Sequence, residues 1–117
     1  MTQEELKDVI RKHKLWLECE EGGEKADLHG EDLRGVDLHW AELREANIYG
    51  ANLYEANLEG ADLREADLQH TNLCGVRLHN ADFRGANIHY AKMYQCTMDE
   101  ASLTKEQRDN IVIIEKY

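Results

Sequence analysis

From Ala26 to Lys105 the chain keeps one five-residue rhythm without a single insertion: a small residue, Asp or Asn, a large apolar residue, then two variable positions. The central apolar residue falls at Leu28, Leu33, Leu38, Leu43, Ile48, Leu53, Leu58, Leu63, Leu68, Leu73, Leu78, Phe83, Ile88, Met93, Met98 and Leu103, giving sixteen units. Two positions earlier, Ala occupies eleven of the sixteen slots, the exceptions being Glu31, Val36, Thr71, Val76 and Cys96. Asp or Asn fills eleven of the sixteen slots just before the centre.

A period of five excludes the ordinary elements. On an α-helix it advances about 500°, or about 140° net per unit, so the leucines would spray round the circumference. A continuous strand would place successive centres on opposite faces. A chain that turns a corner every five residues satisfies the pattern, because the centre and the small residue two before it then both point inward. The corner belongs in the last two positions. All six glycines of the repeat (Gly30, Gly35, Gly50, Gly60, Gly75 and Gly85) occupy the last slot, where a turn most needs conformational freedom. Proline is absent throughout, which suits a ladder that uses every backbone N–H.

Tandem runs such as Ala51-Asn52-Leu53 and Ala61-Asp62-Leu63 resemble the pentapeptide-repeat family, and the resemblance covers residues 26–105. It implies an all-β fold: a right-handed quadrilateral β-helix with four repeats per coil, here four coils and roughly 19 Å of rod at the usual strand spacing. In that register the residues at 28, 48, 68 and 88 stack on one side, and the other centres stack likewise on the remaining three.

Solenoid ends expose unpaired edges that must be covered. Thr2 and Glu5 have capping-box spacing, and Leu6, Val9, Ile10, His13 and Leu17 share one helical face. This predicts a capping helix from residue 3 to about 14, with Leu15-Trp16-Leu17 already extended. Residues 18–25, with Gly22-Gly23, form a linker. The stretch from Lys12 to Glu18 resembles N-terminal caps of some family members. Residues 106–117 form a C-terminal cap: Thr104-Lys105-Glu106-Gln107 reads as the start of a helical turn. The apolar run Ile111-Val112-Ile113-Ile114 reads either as a closing strand or as a homodimer seam, since C-terminal dimerisation occurs in the family.

The net charge of −10 leaves no basic patch for phosphates, so direct nucleic-acid binding is not expected. Cys19, Cys74 and Cys96 form no CxxC pair and support neither a disulfide framework nor a zinc site. No apolar stretch has the length of a signal peptide or a membrane span, and a cytoplasmic setting is the default. Cys74 is expected to face outward and Cys96 inward.

Stacked coils align columns of side chains. His39, Glu59, His79 and Asp99 form one ladder, which reads as surface pairing before it reads as a metal site, because its histidines lie two coils apart. Arg44, Arg64 and Arg84 form another, flanked by Glu42, Asp62 and Asp82 and by Glu45 and Glu65; a solvated ion-pair network is the expectation. Glu31 at an inward slot, and Arg77 and Lys92 in place of Asp or Asn, depart from the repeat. Trp40, Tyr49, Tyr54, Tyr90 and Tyr94 occupy outward slots and are the candidate interaction surface, aromatic residues being enriched at interfaces.

These features favour a non-catalytic scaffold that binds a protein partner through flat faces, without cofactor or metal. The alternative is DNA mimicry toward a type II topoisomerase, as in the quinolone-resistance branch of the family. A 19 Å mimic of duplex DNA should show about eleven charges, whereas the repeat region carries a net −6 spread over all sides. No nucleophile–base pair, metal triad or phosphate loop suggests an enzyme.

Overall fold

The computed structural model describes residues 1–97 and 103–109. Its regular elements are two helices, α1 (Gln3–Leu17) and α2 (Lys105–Asp109), one at each end of a stack of turns. Parallel bridges join Asp27 to Asn47, Asn47 to Asp67 and Asp67 to Asn87. The same offset of twenty residues recurs in three further sets, from Asp32 and Asn52 to Arg77 and Thr97. Within a set the hydrogen bonds run both ways across the residue between: Leu28 N–H donates to Asn47 C=O (2.7 Å), and Asn47 N–H donates to Ala26 C=O (3.0 Å). The passes are thus ladder-paired, but each side is one bridging residue wide. No strand of ordinary length forms among the described residues, because the chain turns again before a second bridge is possible.

The corners explain the slot preferences. The central carbonyl accepts from the N–H three residues on, as Leu53 does from Ala56 (2.9 Å). The last residue of every unit from 30 to 95 has φ between 57° and 75°, as the third residue of a type II turn requires. Eight of these fourteen residues are not glycine, each at a cost of roughly 1–2 kcal/mol. The Asp or Asn slot serves the same corner: its side chain accepts from the N–H two residues on, as Asn57 does from Glu59 (3.0 Å) and Asp67 from Gln69 (3.1 Å). This Asx turn gives the preference for a short polar residue its structural reason, although Glu42, Arg77, Lys92 and Thr97 hold the slot and keep their bridges.

The interior is filled by the centres. From Leu28 to Met93 none is more than 4 % exposed, and Leu103 packs partly buried against them. Met98 lies outside the described residues. Among the described residues the alanines of the second column line the same core, while Glu31 and Val36 are half-buried.

α1 runs three residues further than the sequence suggests: Leu15, Trp16 and Leu17 are helical. The reason lies in packing at its C-terminal end. Trp16 stacks on His13 with ring centroids 5.5 Å apart, Lys25 sits over the Trp16 ring at 5.6 Å, and the returning linker bonds back through Glu20 N–H to Leu15 C=O (2.8 Å). At the start, Thr2 Oγ1 accepts from Glu5 N–H (3.1 Å) and Glu5 Oε1 accepts from Thr2 N–H (2.9 Å), a complete capping box. Leu6 is fully buried, with Val9 and Ile10 packed beside it.

Candidate interaction surface

The structure divides the five outward aromatics among different places. Tyr49, Tyr90 and the residue between them in the stack, His70, form a pile of rings. The His70 ring lies 5.4 Å from Tyr49 and 5.0 Å from Tyr90, nearly parallel to the latter at 21°. His89 extends the pile, its centroid 6.2 Å from Tyr90. Tyr49 is 43 % and Tyr90 61 % exposed, so ring faces and edges meet solvent along one corner. His70 and Tyr90 take the left-handed corner position, and Tyr49 and His89 the slot before it. Sequence reading omitted His70, although it shares a column with Gly30, Gly50 and Tyr90 and could have been found by aligning residues twenty apart.

Trp40 stands elsewhere. It is 71 % exposed, left-handed at φ 59°, and its ring lies against Gly60, where an added Cβ would come within 2.8 Å of the indole. Tyr54 is exposed on a further side. Tyr94 is half-buried, and its hydroxyl is buried without a hydrogen-bond partner. Cys74, expected outward, is only 7 % exposed: it sits in one column between Tyr54 and Tyr94, whose bulk leaves a small side chain little access to water. Cys96 is half-buried, and its thiol donates to Leu73 C=O (2.7 Å). Burial pushes that thiol up to about 11, so it stays protonated and unreactive at neutral pH.

The charged columns pair locally. Arg64 Nη2 meets Asp62 Oδ2 at 2.7 Å and Arg84 Nη2 meets Asp82 Oδ2 at 2.6 Å, with Arg64 Nε reaching Asp82 at 3.9 Å on the next pass. Arg34 grips Asp32 with two hydrogen bonds of 2.8 and 2.7 Å, which lowers that carboxyl to about 2. In the imidazole–carboxylate ladder, His39 turns sideways to Asp37 (2.7 Å) and Glu59 to Arg77 (3.6 Å); Asp99 lies outside the described residues. Among the described residues no three His, Cys, Asp or Glu side chains converge as metal ligands.

A family model described as pentapeptide repeats, in eight copies, matches residues 24–60 and 61–99. No curated protein matches the sequence. Among solved structures the chain is similar to a pentapeptide repeat protein from the Arabidopsis thaliana thylakoid lumen, at 28% identity and TM-score 0.41, covering 72% of this chain and 69% of that one. HetL, a pentapeptide repeat protein involved in heterocyst differentiation regulation in the cyanobacterium Nostoc, is 34% identical with TM-score 0.47, covering 78% of this chain and 43% of its own. QnrB1, a plasmid-mediated fluoroquinolone resistance protein, is 16% identical with TM-score 0.37, covering 79% and 64%. With the family match spanning most of the chain, on a backbone that buries the same slot of successive five-residue units, this protein belongs to the pentapeptide-repeat family.

Proposed function

We propose that the chain is a non-catalytic scaffold, a right-handed quadrilateral β-helix of four coils, that holds a protein partner against its side-chain ladders. The contact surface in this reading is the corner built by Tyr49, His70 and Tyr90. The observation that carries it is the exposure of Tyr49 and Tyr90 as members of one ring pile. Rigid, amphipathic rings lose little side-chain entropy on binding, which is why they dominate interface energetics.

The charges favour this reading over DNA mimicry. A mimic needs unpaired carboxylates in a continuous strip, whereas Asp32, Asp62 and Asp82 each hold an arginine of their own repeat and also close an Asx turn. Their charge is spent inside the pentapeptide.

The test is affinity capture from the native cell with the wild type and with the double variant Tyr49→Ser, Tyr90→Ser. Both substitutions are at exposed positions and should leave the melting temperature within a few degrees. A protein retained by the wild type and lost with the double variant supports the surface; identical captured sets would remove it.

A further inference from the structure

His13 is fully buried between α1 and the first pass of the solenoid, and both ring nitrogens are engaged by backbone. Ala26 N–H donates to Nδ1 at 2.9 Å, and Nε2 lies 2.8 Å from Arg44 C=O. A carbonyl only accepts and an amide N–H only donates, so these two partners fix the ring as neutral, with its proton on Nε2. A second proton would have to go on Nδ1, pointing straight at the Ala26 N–H.

We propose that His13 is a pH-sensitive latch: protonating it breaks the bond to Ala26 and releases α1, baring the backbone edge of the first pass. Few direct polar contacts hold the helix there. Among the described residues, besides His13, α1 is tied to the solenoid by Gln3 Nε2 to Asp37 C=O at 3.4 Å, a long bond, and to the returning linker by Glu24 N–H to Lys12 C=O at 3.1 Å and Glu20 N–H to Leu15 C=O at 2.8 Å. The surroundings disfavour a charged ring. Lys25 from the linker and the Arg44 side chain from the first pass oppose it, whereas the Arg44 carbonyl and Glu45 favour it. On α1 the sequence neighbours Lys12 and Lys14 add only positive charge. Burial, the largest cause, holds the imidazole below its ordinary value.

The sign follows by linkage. A histidine with a folded value below its unfolded one binds fewer protons when docked, so docking is complete above about pH 6.5 and weakens as pH falls toward the folded value. Within that window the docking constant drops by up to about tenfold per pH unit. The carboxylates held low by Asx and arginine contacts titrate only below about pH 4, outside the window. His29, raised by its hydrogen bond to Asp27, acts in the opposite sense, its contribution being present at low pH and lost as pH rises.

The experiment follows backbone amide exchange by NMR from pH 7.5 to 5.0, corrected for intrinsic rates, together with ring-nitrogen shifts of labelled histidine. Protection of α1 amides should fall by up to about tenfold per pH unit below 6.5, while that of a mid-solenoid amide such as Leu63 holds. His13→Gln, whose amide can donate to Arg44 and accept from Ala26 without titrating, should flatten the profile. Constant α1 protection in the wild type, or an unchanged slope in His13→Gln, would overturn the latch. Should His13→Gln leave α1 undocked at every pH, the wild-type ring decides. A titration midpoint below 6.5 that coincides with the loss of α1 protection supports the proposal, and a midpoint at the free-histidine value with α1 still protected sinks it.

Discussion

The two ends of the solenoid meet the same physical problem with different hooks. At the N-terminal end α1 sends buried His13 to the edge carbonyl of Arg44 and to the amide of Ala26. At the other end α2 begins with the same type of capping box, Thr104 Oγ1 accepting from Gln107 N–H (3.0 Å) and Gln107 Oε1 from Thr104 N–H (2.9 Å). There it is Gln107, 8 % exposed, whose Nε2 donates to Phe83 C=O (2.6 Å) and Ala86 C=O (2.9 Å). Each helix therefore presents backbone-like chemistry to main-chain groups at the end of the stack, which a bare β edge would otherwise offer to any passing chain. The imidazole can donate to Arg44 C=O in either protonation state but can accept from Ala26 N–H only when neutral, whereas an amide donates and accepts at any pH. The two ends share a capping box and differ in their response to acid.

The largest effect expected from breaking this comparison is at Gly23. A Cβ there would lie 2.4 Å from the Trp16 backbone nitrogen and 2.6 Å from its Cα, contacts that no rotamer can relieve. Gly23→Ala should therefore displace the linker and undock α1 altogether, read as loss of α1 amide protection and a lower melting temperature. Gly22→Ala creates no such close approach, since nothing lies near the added Cβ, and should cost only the strain of its positive φ, about 1 kcal/mol.

Next comes the pair His13→Ala and Gln107→Ala. The first leaves Arg44 C=O and Ala26 N–H without their partner in a dry site and opens a ring-sized gap, for about 3 kcal/mol by chemical denaturation. The second strips two carbonyls of a neutral donor nearer the surface, for about 1–2 kcal/mol. The pH dependence sharpens the contrast: Gln107→Ala should keep the wild-type weakening below pH 6.5, and His13→Ala should lose it. The smallest effects belong to the caps. Thr2→Ala and Thr104→Ala should each cost about 1 kcal/mol or less, equally at pH 5 and pH 7.5.

The body of the molecule was more legible than its ends because repetition turns three-dimensional neighbours into a sequence period. Leu53 and Leu73 are recognisable as neighbours once twenty residues are known to make one pass. The Asp or Asn slot was visible as a preference, but its reason, an acceptor for the N–H two residues on, needed coordinates. Cys74 was misjudged because the access of an outward slot depends on what stands twenty residues either way, here Tyr54 and Tyr94. His70 was overlooked for the same reason in reverse. His13 could be placed on the buried face of α1, but its partners are a backbone carbonyl and an amide, and main-chain groups leave no trace in sequence. The expected extension of Leu15 to Leu17 failed because Trp16 is held in the helix by the His13 ring and Lys25, a contact between segments. The reading of Ile111 to Ile114 as strand or dimer seam falls outside the described residues.

The claim on which all of this rests is the twenty-residue offset between ladder-paired passes. A backbone NOE spectrum of the uniformly labelled protein tests it most directly. The account predicts amide-to-Hα contacts joining the passes around Asn47 and Asp67, and around Asp62 and Asp82, at the bridges seen here. Sequential helical contacts across residues 26–97, or cross-pass contacts at any other offset, would contradict it.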